Sequence, residues 1–362
     1  MNFIVNNKKF ENELDFSDKI TIKSFNKNYD VLYSNKNLEI LINEIYEEND
    51  FIFIDRNVFN LSSETFNNTN ILHNFLIFDA NEDNKSIDIV LKLIDVLYNK
   101  KFTKKNKLII IGGGITQDVG GFAAAIYKRG INWIYIPTTI LSMTDSCIGS
   151  KVNVNRNSKN MLGLFCAPNK IYISDYFLNS LSKDDIISGL GESLKLSLIG
   201  GDNTFNKFKE MLSINDYINI IKLSSLIKKE IIEFDEFEKD IRKVLNYGHT
   251  VGHAIESTTN YFIPHGIAVL IGIYIKNKLF YENKYQEINR IIIDMIDIKY
   301  FNIDFCFNNF IEHIMSDKKN DGTKICFIVL DEIGNSKFIY KEKDDIEEKI
   351  KKIISLLFNN II

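Results

Sequence analysis

Short apolar runs recur through the first half of the chain: Phe51 to Ile54, Phe75 to Phe78, Leu108 to Ile111, Trp133 to Ile136 and Ile171 to Ile173. Each is too brief for a helix and lacks the polar alternation of a half-exposed strand, so the runs predict buried strands. Between them, Leu38, Ile40, Leu41 and Ile45, then Ile87, Val90, Leu91, Ile94 and Leu97, repeat at helical spacing. Strands alternating with amphipathic helices predict a parallel sheet covered on both faces.

The pattern changes near residue 176. Strand-like runs nearly vanish, and helical spacing takes over in Tyr217 to Glu236, Arg242 to Thr258 and His265 to Glu282. Ile346, Ile350, Ile353 and Leu357 share one face of a final docking helix. The expected organisation is an α/β domain over residues 1–175 and a mainly helical domain over residues 176–362. An apolar share of 45% in 362 residues is sufficient for two cores of ~100–200 residues each.

Charge and cysteine usage narrow the function classes. The formal charge is −4 and the pI about 5.9, with lysines and acids scattered, so no nucleic-acid footprint is expected. No uncharged apolar stretch reaches the roughly 18 residues of a membrane span, and no export signal is expected at the amino terminus. Cys147, Cys166, Cys306 and Cys326 lie far apart. They match neither a zinc knuckle nor a disulfide scaffold, and a reducing cytoplasm is the expected compartment.

Three of the five histidines, His249, His253 and His265, fall close together. His249 and His253 are four residues apart, so on a helix both rings leave one face and can reach one metal or one anionic substrate. Thr250 stands where a zinc peptidase needs glutamate, which removes peptidase chemistry. The same spacing also suits histidines that merely cap a helix or satisfy core carbonyls. His265, in Pro264-His265-Gly266, heads the next helix, where a turn can aim it back at the first. A carboxylate would complete a nitrogen and oxygen ligand set, and Glu192 is the candidate. A second motif is the strand Lys107 to Ile111 running into Gly112, Gly113 and Gly114 and then into small residues. Strand, glycine turn and helix make a phosphate seat, although such a turn also serves as a simple tight corner.

Taken together, these landmarks resemble the sugar phosphate cyclases, and within them the 3-dehydroquinate synthases. The resemblance runs through Asn81 to Ser86, the glycine turn with Asp118, Arg129-Gly130, Pro137 to Thr139, Asp145 to Lys151, Lys159-Asn160, Gly191 to Lys195, Asp235 to Glu238, Arg242, Asn246 to Glu256, His265-Gly266 and Asp317 to Lys319. It implies a Rossmann-like amino-terminal domain and a helical metal- and substrate-binding domain. It also implies zinc, with cobalt as the alternative, on Glu192, His249 and His265. NAD would lie against Gly113, Gly114 and Ile115, with Asp118, Thr138, Thr139, Lys151, Lys159 and Ser180 around it and Glu82 and Lys85 at the adenosine end. The substrate is expected to be a small phosphorylated sugar acid. The groups implied for it are Asp145, Lys151, Asn160, Lys195, Lys228, Arg242, Asn246, His253 and Lys318, with Arg129 reaching across a homodimer interface. Lysine and arginine supply the charge-assisted donors that a phosphate and a carboxylate require.

The chain departs from that pattern at several positions. Ile267 stands in place of a glutamate after His265-Gly266, Ser150 and Gln117 each stand in place of a glycine, and Gly191 and Ser193 in place of alanine and valine. The loop Asn155 to Ser158 is one residue short. Three rival readings remain: a sister cyclase acting on sedoheptulose 7-phosphate or glucose 6-phosphate, a metal-dependent NAD alcohol or glycerol dehydrogenase, and a catalytically silent relative. Lys228 and Arg242, expected to bind a substrate carboxylate, count against the first. The lysine and arginine set as a whole counts against the second, and the intact ligand set against the third.

Overall fold

The computed structural model describes residues 1–68, 74–316, 324–358 and 360–361. The chain forms two compact units, one of Asp15–Ser182 with Lys228–Phe237, the other of Met1–Leu14, Lys183–Ile227 and Glu238–Ile362. One division between the two units falls between Ser182 and Lys183. Two segments, Met1–Leu14 and Lys228–Phe237, fall on the other side from their sequence neighbours.

The first unit is built on a seven-stranded sheet in the order Lys19–Ile22, Tyr29–Ser34, Lys170–Ser174, Asn132–Pro137, Lys107–Gly112, Phe51–Asp55 and Phe75–Phe78. All neighbours are parallel except the first pair. The five expected strands are all present. Their continuous apolar runs are explained by burial: Phe53, Ile110, Ile136 and Ile171 are wholly inaccessible. Helix Gly114–Ile126 follows the central strand Lys107–Gly112 directly, so the glycine turn lies at the carboxyl end of that strand, where open α/β sheets present ligand crevices.

In the second unit, helix Lys183–Ile199 is buried without a break from Ile187 onward. Helix His265–Phe280 packs against it and against helix His249–Thr258. The unit also contains a four-stranded sheet in the order Lys324–Glu332, Asn335–Glu342, Asn2–Val5 and Lys8–Glu11, which the hydropathy pattern does not announce. Two of its strands come from the amino terminus, and pairing so distant in sequence leaves no local signature.

The helix expected over Arg242 to Thr258 is interrupted. A 3₁₀ helix, Ile241–Asn246, precedes the α-helix His249–Thr258, and Gly248 between them has φ +90°. The close approach of Val269 and Ile273 leaves little space for a side chain at Gly248. A residue at left-handed φ closes one helix and allows the next to start in a new direction.

Candidate active site

The residues expected to face a nucleotide lie on the α/β unit. Gly113 caps helix Gly114–Ile126 at its amino end, where free N–H groups and the helix dipole favour an anion. Gly113, Gly114 and Ile115 remain partly accessible. The amide of Thr138 donates to the Gly112 carbonyl at 3.1 Å, which holds the next strand end against the turn. The Thr139 hydroxyl donates to Ser142 at 3.0 Å.

Beside the turn, Lys85 bridges Asp118 Oδ2 at 2.6 Å and Asn160 Oδ1 at 2.6 Å. Asp118 Oδ1 accepts from the Asn153 amide at 2.9 Å. Burial pushes the Asp118 carboxyl above its ordinary value, against the pull of the Lys85 ammonium. Glu82 accepts from Asn155 Nδ2 at 2.8 Å, and Asn155 Oδ1 accepts from the Asn160 amide at 2.7 Å. These bonds tie Glu82, Lys85, Asp118 and Asn160 into one network that crosses the shortened Asn155 to Ser158 loop. Lys159 is exposed next to it. Ser180 is not drawn into this network, since its hydroxyl donates within its own turn to Phe177 O at 2.9 Å.

Asp145 lies in the π-helical turn Ser142–Ser146. Lys228, nearly inaccessible, donates to its carboxylate at 2.8 Å and also to its carbonyl. Two of the departures from the family pattern have structural partners here. Gln117 Nε2 donates to the Ser146 carbonyl at 2.8 Å, and Ser146 Oγ donates back to Gln117 Oε1 at 2.7 Å. Ser150 holds φ +64°, a conformation that favours glycine, and its hydroxyl donates to Glu236 at 2.9 Å. Glu236 also accepts from Ser24 Oγ at 2.6 Å and the Phe25 amide at 2.7 Å. These bonds fix the backbone from which Lys151 opens strand Lys151–Val154. Arg129 is exposed in a turn at φ +62°. Lys318 lies outside the described residues.

The histidines assemble on the helical unit. Ligand atoms of His249, His253 and His265 lie within 4.8 Å of one another, with His249 buried and His253 exposed. Glu192, wholly inaccessible on helix Lys183–Ile199, places Oε1 3.5 Å from His249 Nε2 and 3.4 Å from His265 Nε2. Lys195, one turn further on, forms an ion pair with the other oxygen. The Oε1 atom of Glu192 makes no hydrogen bond, and a buried polar atom in that state needs an explanation. Two donors held about 2.0–2.1 Å from one tetrahedral centre stand about 3.3–3.4 Å apart. The Glu192–imidazole separations match that spacing and exceed an ordinary hydrogen bond, so carboxylate and imidazoles fit a zinc-like cation.

Each ring is turned by its other nitrogen. His249 Nδ1 faces the Tyr247 carbonyl at 3.3 Å, and His265 Nδ1 meets Glu256 Oε2 at 3.0 Å. Burial alone would lower the His265 pKa. The Glu256 and Glu192 carboxylates outweigh it and raise the value to about 10, so this pocket attracts positive charge, which a divalent cation supplies in place of the proton. Glu256 is a neighbour of the cluster that the motif reading leaves without a role. The signal is its place on the helix of His249 and His253, but only the fold shows that it faces His265. Ile267, where the family pattern has a glutamate, is fully buried, and the carboxylate support for His265 comes from Glu256 instead. Arg242 and Asn246 share the 3₁₀ helix Ile241–Asn246, with Arg242 buried. Asn246 Nδ2 donates to Glu238 at 2.9 Å.

A family profile described as 3-dehydroquinate synthase N-terminal matches residues 75–188, and one described as 3-dehydroquinate synthase C-terminal matches residues 189–320. The 3-dehydroquinate synthase of Pelagibacter ubique (strain HTCC1062) is 36% identical over 353 residues, covering 89% of this chain and 94% of its own length. Among solved structures, 2-deoxy-scyllo-inosose synthase complexed with carbaglucose-6-phosphate, NAD+ and Co2+ superposes with a TM-score of 0.77 at 21% identity, covering 92% of this chain and 99% of that one. The 2-epi-5-epi-valiolone synthase of Streptomyces hygroscopicus subsp. jinggangensis 5008, with NAD+ and Zn2+ bound, gives 0.78 at 20% identity, covering 91% and 97%. At such identity the two structures speak for the fold.

Proposed function

Because the chain belongs to the 3-dehydroquinate synthase family, we propose that it converts 3-deoxy-D-arabino-heptulosonate 7-phosphate to 3-dehydroquinate and phosphate. The observation that carries the chemistry is Glu192. Its buried carboxylate, ion-paired to Lys195 through one oxygen and faced by two imidazoles at 3.4 and 3.5 Å at the other, has the form of a metal ligand. Glu192, His249 and His265 would hold zinc or cobalt. The glycine turn with the Lys85 and Asp118 network would hold NAD. When bound, NAD would supply reversible hydride transfer and the cation would supply Lewis acidity.

The remaining work falls to the chain's own side chains. Lys195, paired with Glu192, and His253, on the accessible rim of the cluster, present a cation and an imidazole to an anionic substrate. Arg242 and Asn246 in the helical unit, and Lys151, Asn160 and Lys228 in the α/β unit, each carry donors of the kind that a phosphate or a carboxylate needs, and Asp145 holds the Lys228 ammonium. Holding a single substrate in place through several steps is itself a large part of the catalysis. We further infer a homodimer to which the exposed Arg129 contributes. With four cysteines and no disulfide among the described residues, we infer a reducing cytoplasm as the compartment. Among the described residues no helix is long and apolar enough to cross a membrane.

Purified protein supplied with zinc, NAD and 3-deoxy-D-arabino-heptulosonate 7-phosphate is expected to release phosphate with no net NADH. Stoichiometric NADH would point to a dehydrogenase. Turnover of sedoheptulose 7-phosphate in its place would assign the chain to a sister activity.

A further inference from the structure

Lys276 lies on helix His265–Phe280 and is 3% exposed. Its ammonium donates to the Ile328 carbonyl at 2.7 Å and stands 3.8 Å from the centre of the Tyr247 ring. Removing an ammonium group from water is costly, and an apolar side chain of similar length commonly fills such a space with equal or better stability. Bulk alone therefore does not account for a lysine here. A cation over an aromatic face is attracted by the ring quadrupole, more strongly when desolvated, and the ring in question is two residues from His249.

Tyr247 is held at several points. Its ring carries Lys276, its hydroxyl donates to Asn277 Oδ1 at 3.2 Å, and its amide donates to the Val244 carbonyl at 2.9 Å. Its own carbonyl faces His249 Nδ1 at 3.3 Å. A carbonyl at that nitrogen keeps the proton on Nδ1 and leaves Nε2 as the donor atom, 3.5 Å from Glu192. The chain of contacts thus runs from the buried ammonium through the tyrosine to the imidazole.

We propose that Lys276 is a positioning residue for the metal centre, fixing the Tyr247 ring and with it the carbonyl that sets the orientation and tautomer of His249. This rests on the assignment of Glu192, His249 and His265 as ligands of a divalent cation. The test measures zinc affinity by competition with a chromophoric chelator, alongside the melting temperature of the metal-stripped protein, for the wild type, Lys276→Met, Tyr247→Leu and Tyr247→Phe. Lys276→Met is expected to weaken zinc binding at least about tenfold while the metal-free melting temperature stays at or above that of the wild type. Tyr247→Phe keeps the ring face and the carbonyl, and is expected to retain wild-type affinity. Tyr247→Leu is expected to lose affinity as Lys276→Met does, and it decides the matter if Lys276→Met does not fold. Wild-type affinity in Lys276→Met or in Tyr247→Leu overturns the proposal, and stoichiometric zinc in the parent protein then leaves the metal assignment standing. A parent protein that takes up no zinc overturns both.

Discussion

At the scale of single residues, the histidine cluster depends on what stands behind each ring. Glu256 holds His265 Nδ1 at 3.0 Å, and carboxylates in that position raise ligand basicity and fix ring orientation. Glu256→Ala is expected to weaken zinc affinity about 10–100-fold, read by chelator competition, while His265→Ala abolishes stoichiometric zinc in metal analysis. Equal zinc retention in His265→Ala and the parent would remove His265 from the ligand set. The short spacing of His249 and His253 is legible in the sequence because one helix carries both. Glu256 opposite His265, and Tyr247 behind His249, are not, because each contact depends on where the following helix or the αL turn places its partner. Ser180 shows the converse: the family pattern places it at the nucleotide, yet its hydroxyl closes its own helical turn.

At the scale of elements, the three helices that carry the ligands pack with backbone nearly touching backbone. A Cβ at Gly266 would fall 1.7 Å from the Ser188 carbonyl oxygen, and one at Gly191 would fall 2.3 Å from that of Gly266. These obstacles are main-chain atoms, which cannot swing aside as a side chain does. The glycine at position 191, where the family pattern has alanine, therefore allows helix Lys183–Ile199 to meet the start of helix His265–Phe280 at close range. The Gly266 amide donates to Ser188 Oγ at 3.0 Å across the same contact. Gly266→Ala is expected to lower stability by about 1–3 kcal/mol, measured as a shift in the urea midpoint. An unchanged midpoint would show that the helices separate freely. Helix content here is legible from spacing, but helix proximity is not, since a glycine in a helical pattern equally signals a weak helix.

At the scale of the whole molecule, the chain divides the chemistry between two compact units that sequence order only partly separates. Lys228 belongs to the α/β unit although it lies within the helix Tyr217–Phe234, and its ammonium binds Asp145 of that same unit. The parallel sheet is legible since each buried strand is a continuous apolar run. The sheet of the helical unit is not, since its partners come from opposite ends of the chain. Every residue of the glycine turn lies in one unit, and Glu192, His249 and His265 lie in the other. The two binding events should therefore respond to different substitutions. At Gly113 a Cβ would meet only Thr139, 3.5 Å away, in ordinary van der Waals contact, so the fold accepts Gly113→Ala. The added methyl would nevertheless stand at the amino end of the helix, where an anion must approach bare backbone. Gly113→Ala is expected to weaken NAD binding at least about tenfold, or about 1.4 kcal/mol, by calorimetric titration, with zinc stoichiometry and melting temperature unchanged. His265→Ala is expected to do the reverse, losing zinc while keeping NAD. If either substitution abolished both ligands together, the division of binding between the two units would be wrong.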